Sequence, residues 1–105
     1  MNSDFLNALE MLPVPRTADP TRPGGRAARG RCIWCGKAAA LSLGPRLKVI
    51  GGALHRFTPR ACEDCTHREA ERTHTAHRRT CARCTGWEHC HDSQALHQLA
   101  LETRR

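Results

Sequence analysis

Cys32-Ile33-Trp34-Cys35-Gly36 and Cys62-Glu63-Asp64-Cys65 repeat one device, a pair of cysteines two residues apart, with 26 residues between the pairs. A gap of two residues lets both sulfurs reach one ion from a single turn. A tetrahedral ion then needs a second pair from elsewhere in the chain. Gly36 follows the second cysteine directly, where a positive φ lets backbone amides turn towards the sulfurs. A third pair, Cys81-Ala82-Arg83-Cys84, is separated from Cys65 by 15 residues, and Cys90 from Cys84 by five.

Between the first two pairs, the segments 40–43, 47–50 and 53–57 are short and partly alternating. Gly44-Pro45 and Gly51-Gly52 separate them, so two or three small strands are expected. From Glu63 to Arg79 there is neither proline nor glycine. Glu63 and Asp64 suit a helix's first turn, and Arg78 and Arg79 suit its last. The second cysteine pair therefore opens a helix. Asp92 or Ser93 can cap a final helix with Leu96, Leu99 and Ala100 on one face.

Several ligand sets are open. Cys62/Cys65 with Cys81/Cys84 has a spacing that also reads as a zinc site. Cys62, Cys65, His77 and Cys81 approximate a finger along one helix. The set Cys32, Cys35, Cys62 and Cys65 is favoured because the others leave Cys32/Cys35 without a second pair. It also leaves a coherent remainder of Cys81, Cys84 and Cys90. His77, at the end of a helix leading into Cys81, is the expected fourth ligand there, with His74, His89 and His91 competing. The expectation is two Zn²⁺ ions, with structural disulfides or an iron–sulfur cluster as the less favoured readings.

Composition points the same way. The chain has 105 residues and 4% aromatics, with two Trp, two Phe and no Tyr. So short and ring-poor a chain buries little apolar surface and needs a staple, which seven Cys and seven His can supply. Zinc would then contribute folding energy directly, and the metal-free chain is expected to be largely unfolded. Seven is odd, which disfavours a complete disulfide set. No apolar run approaches the roughly 20 residues that cross a bilayer. Residues 1–12 carry two acids and no basic head, so a secretory signal is not expected and a reducing, cytoplasmic location is.

The formal charge of +7 is uneven: −2 over 1–12, +4 over 13–31, +5 over 32–61, and zero over 62–79 and 80–105. The acid-free segment 32–61 carries Lys37, Arg46, Lys48, Arg56 and Arg60, the candidate phosphate contacts. The Arg-rich stretch 13–31, with Pro and Gly throughout, reads as a flexible linker. Trp34 and Trp87 read as aromatics packed over metal-binding turns, with base stacking as the other use. His55, His67 and His97 read as surface residues.

A knuckle, short strands and a helix start, in that order over 32–79, resemble the treble-clef group of zinc fingers and, more loosely, the zinc ribbons. The resemblance implies a small zinc-stabilised α+β domain of knuckle, β-hairpin and helix. Around it, 1–31 would be a short helix plus linker, and 80–105 a second zinc-binding turn and C-terminal helix. With 15 Arg against 2 Lys, the composition also resembles small Cys-rich proteins of high-GC bacteria.

Enzymatic signals are wanting. A zinc deaminase needs His-x-Glu upstream of its Cys pair, whereas His67-Arg68-Glu69 follows Cys65. His55 stands alone on the expected hairpin, with no carboxylate in 32–61 and no Gly-rich phosphate loop before a helix. Neither an enzyme, a small-molecule substrate nor a membrane is expected. The leading expectation is a nucleic-acid-binding regulatory factor. The alternative is a protein–protein adaptor using the apolar faces of the first and last helices.

Overall fold

Along residues 3–103, the part that the computed structural model describes, the chain runs α1 (Ser3–Met11), α2 (Arg26–Arg29), β1 (Leu41–Ser42), β2 (Arg46–Ile50), β3 (Ala53–Phe57), β4 (Arg60–Ala61), α3 (Glu63–Thr80), α4 (Ala82–Thr85) and α5 (His91–Glu102). This is a small α+β arrangement with two antiparallel two-stranded sheets, β1–β4 and β2–β3. No helix among the described residues is long and apolar enough to cross a membrane.

The β2–β3 ribbon forms because Gly51 and Gly52 both take positive φ (58° and 81°), as a two-residue hairpin turn with the right twist requires. Ile50 pairs with Ala53 and Arg46 with Phe57. Partners across a ladder share a face, so Leu47, Val49, Leu54 and Arg56 point one way, and Arg46, Lys48, His55 and Phe57 the other. The second face is half-buried because the N-terminal segment runs beneath it. There Arg46 donates to the carbonyls of Leu9 (2.9 Å), Leu12 (2.7 Å) and Leu43 (3.1 Å). Its cation thereby caps the negative end of α1. Lys48 donates to the carbonyls of Arg16 and Ala18. Burial lowers the Arg46 pKa, and the Glu10 carboxylate opposes that shift.

These bonds change the reading of residues 13–31. The composition suggests a flexible linker, but Ala18 is buried, and Lys48 holds the chain on either side of Thr17. Buried residues from before residue 31, between 31 and 79, and after 79 share one core. Ala8, Leu9 and Leu12 of α1, Cys65 and Ala70 of α3, and Ala95, Leu96, Leu99 and Ala100 of α5 lie in a single buried cluster with Cys32, Ile33, Leu43 and Ala61. Each fully buried leucine contributes about 1.5–3 kcal/mol. The apolar faces of the first and last helices are thus turned on each other instead of outward. The start of α5 also differs from expectation: its N-cap is Cys90, and neither Asp92 nor Ser93 holds that position.

Candidate metal centres

The strand β4 sets the spacing of the first centre. Arg60 pairs with Ser42 in the β1–β4 ladder and bridges in parallel to Cys32, and its carbonyl accepts from the Ile33 N–H (2.9 Å). The 32–36 turn is thereby fixed against the strand that leads straight into Cys62. Within that turn the Gly36 N–H donates to the Cys32 carbonyl (2.8 Å), and Gly36 takes φ +81°. The positive φ is what calls for glycine at this position; a Cβ there would stand 3.0 Å from the Arg26 guanidinium. At the other side, Cys62 is the N-cap of α3 and its sulfur accepts from the Cys65 N–H (3.4 Å). The positive end of the helix dipole therefore faces the sulfurs and favours thiolates.

The Sγ atoms of Cys32, Cys35, Cys62 and Cys65 lie within 4.8 Å of one another, and Cys35 and Cys62 are 3.7 Å apart. Four thiolates about 2.3 Å from a tetrahedral ion would be about 3.8 Å apart, so this quartet has the dimensions of a closed site. Burial pushes the Cys32 thiol up, but the backbone amides of Cys62, Cys35 and Trp34 pull it down further, to about 6. Burial pushes Cys65 up to about 12 and raises Cys62 as well. Left alone, the cluster does not ionise as a whole. A divalent cation held there would allow all four sulfurs to be thiolates together.

The second centre sits where three helices meet. His77 lies in the last turn of α3, Cys81 links α3 to α4, Cys84 lies in α4, and Cys90 caps α5. Their ligand atoms also fall within 4.8 Å of one another, with His77 Nε2 3.2 Å and Cys81 Sγ 3.9 Å from Cys90 Sγ. All four residues are half-buried. The backbone amide of Cys84 lowers the Cys81 pKa, whereas burial raises that of Cys84, opposed by Ser93.

Of the histidines that compete for this centre, His77 is the one grouped with the three cysteines. His74 Nε2 instead meets Ser93 Oγ (3.0 Å), and His89 is exposed. Cys62/Cys65 and Cys81/Cys84 stand at opposite ends of the 18-residue helix α3, about 27 Å long, so they cannot share an ion. His67, expected at the surface, is half-buried. Its Nδ1 meets the Ala100 carbonyl (2.7 Å) and its Nε2 lies 3.0 Å from Glu71.

The two tryptophans part company. Trp34 is half-buried against the core, and its carbonyl accepts from Arg26 (2.9 Å). Trp87, expected to pack over the second turn, is 92% exposed. Among the candidate phosphate contacts, Lys37, Arg56 and Arg60 are exposed, while Arg46 and Lys48 already direct their donors to backbone carbonyls. Compared with family models, curated proteins and solved structures, the chain matches none.

Proposed function

We propose that the chain is a zinc-stabilised nucleic-acid-binding protein of treble-clef type, carrying one Zn²⁺ on Cys32, Cys35, Cys62 and Cys65 and a second on His77, Cys81, Cys84 and Cys90. Thiolate and imidazole donors in tetrahedral sets suit zinc, and each quartet fills all four positions of such an ion. No position is left for a substrate, so a binding role is preferred over catalysis. In this reading the knuckle, the β2–β3 ribbon and α3 are the treble-clef elements. The metal ions fix the relative placement of the cations that contact nucleic acid.

The observation that carries the nucleic-acid part is the charge. From residue 20 to residue 62 there are nine Lys and Arg and no acid. Lys37, Arg56 and Arg60 are exposed and free to meet phosphates, with Arg22, Arg29 and Arg31 beside them in sequence. Arg46 and Lys48 act in this reading as clamps under the ribbon and not as contacts.

A protein-adaptor reading has one specific observation in its favour. Leu47, Val49 and Leu54 share the outer face of the ribbon and are each about two-thirds exposed. Salt separates the two readings. Zinc-loaded protein titrated with labelled duplex and single-stranded probes between about 50 and 200 mM salt should lose affinity with a log–log slope of about −2 to −4. Absence of binding to either probe at the low end removes the nucleic-acid reading. Adaptor binding through the aliphatic face would be nearly indifferent to salt.

A further inference from the structure

Trp87 occupies a backbone position that a tryptophan ordinarily avoids. At the end of α4 the Glu88 N–H donates to the Arg83 carbonyl (2.8 Å) and the Trp87 N–H to the Cys84 carbonyl (3.3 Å). This nested pair is a Schellman ending, which requires a left-handed residue just past the helix, usually glycine and sometimes asparagine. Here that residue is Trp87, with φ 60°, the one non-glycine residue of positive φ among those described. The available glycine, Gly86, stands one position too early, at φ −88°. A bulky side chain held in this region is a local cost that the surroundings must maintain, and such positions cluster at binding sites.

The surroundings that maintain it are the ligands of the second centre. Cys81 and Cys84 precede the turn and Cys90 follows it. The indole is left standing clear, and it borders two adjoining clefts. One cleft, of about 460 Å³, is lined by His74, Arg78, His89, Gln94 and His97 among others; the second, of about 440 Å³, by Arg78, Arg79, Thr75 and Thr85 among others. Arg78 belongs to both, and Glu88 is the only acid in either lining. Neither lining contains an aliphatic Leu, Ile or Val, as the seat of an apolar peptide would.

An isolated flat ring between cationic and amide side chains fits a partner that combines exposed π-faces with phosphates. We propose that Trp87 is a stacking platform for unpaired bases of single-stranded nucleic acid, with Arg78 and Arg79 meeting the flanking phosphates. The inference rests on the nucleic-acid reading above and adds to it a second contact region outside the β2–β3 ribbon. Stacking on an indole is open to any base because every base has a π-face, whereas bases in a duplex already have their faces covered.

The test uses the full zinc-loaded chain and three probes: a thymidine oligomer of about 12 nucleotides, an abasic strand of equal length and charge, and a duplex. The thymidine strand should quench Trp87 emission, measured as the difference between the parent and Trp87→Phe, and the abasic strand should not. Trp87→Ala should bind the thymidine strand roughly 5- to 150-fold more weakly with duplex binding unchanged, and Trp87→Phe should recover part of that loss. Trp87→Gly should lose the same affinity yet unfold no earlier than the parent on heating, because glycine relieves the left-handed turn. Equal binding of thymidine and abasic strands, or full affinity in Trp87→Ala, overturns the inference while the nucleic-acid reading stands. Early unfolding of Trp87→Gly also overturns it, by making Trp87 a structural residue. Failure of all three probes to bind removes the nucleic-acid reading itself. A Trp87 emission that responds to none of the probes, while the probes still bind, leaves the indole to a protein partner.

Discussion

The two ligand quartets share a chemistry and differ in setting. The first is built into the core: Cys32 and Cys65 are buried, a β-bridge ties the knuckle to the strand before Cys62, and α3 begins at the site itself. The second is a junction of helix ends, half-buried throughout, with an exposed Trp87 between its ligands. Removing an ion held by the first would withdraw the link between sheet and helix. Removing one held by the second would release a turn. Four-coordinate ions in the two quartets would therefore support the whole fold in one place and display a side chain in the other.

The largest effect that can break this contrast is loss of one ligand at each centre. Cys62→Ser removes a sulfur that is both a ligand and the helix N-cap, and should abolish the dispersed amide spectrum of the whole chain. Cys90→Ser should lower the metal content from two ions to one and broaden signals from about residue 81 to 92, with the α1, α3 and ribbon signals kept. Native mass spectrometry and amide spectra of the two variants read this directly. If both lose structure to the same extent, the two centres form one cooperative unit and the contrast is wrong.

A smaller effect asks how far the packing around the first centre stands apart from its metal. Arg46→Met keeps the stem and removes three bonds to the carbonyls of Leu9, Leu12 and Leu43. The loss should be roughly 1.5–3 kcal/mol in denaturant unfolding, with both ions still bound. Loss of an ion from this variant would mean that the clamp and the metal are not separable.

The spacing of cysteines made both quartets legible, because ligand geometry acts over a few residues and leaves its mark in the intervals. Placing Cys32/Cys35 with Cys62/Cys65 needed only the count of residues and the start of a helix. The roles of Arg46 and Lys48 were not legible. In sequence they sit in an acid-free stretch like any phosphate-binding cations, and their partners, at Leu9, Leu12, Arg16 and Ala18, lie 30 to 37 residues away. Backbone carbonyls carry no sequence signal. The course of 13–31 was hidden for the same reason, since side chains from another element hold it. Trp87 had one faint cue, Gly86 beside it, but that glycine suggests an ordinary helix ending with the left-handed residue one position earlier.

Ser93 offers a finer test at the second centre alone. Its hydroxyl meets His74 Nε2 (3.0 Å) and acts on the Cys84 sulfur, lowering its pKa against burial. Ser93→Ala should weaken the second ion about tenfold, at the low end for a group that supports a ligand from behind. The first ion should be unaffected, as read by competition with a chromophoric chelator. A matching loss at the first centre would mean that the sites communicate through α3.

The smallest effect lies in the pH dependence of the first centre. Metal binding displaces whatever protons the sulfurs hold. Cys32 is pulled down to about 6, so above that pH it enters the site as a thiolate, whereas below it one more proton must leave. Cys65, pushed up to about 12, and Cys62, raised by burial, carry protons throughout the neutral range. Affinity should therefore rise with pH on both sides of about 6, and the slope of log K against pH should fall by about one as pH climbs through it. Zinc titrations of Cys90→Ser, which isolate the first centre, give that slope without interference. A straight line from pH 5 to 8 would mean that Cys32 is an ordinary thiol before the ion arrives, its amide donors assembling only with the metal. A break near 6 means that the knuckle already holds Cys32 as a thiolate, leaving the ion to recruit the helix end to it.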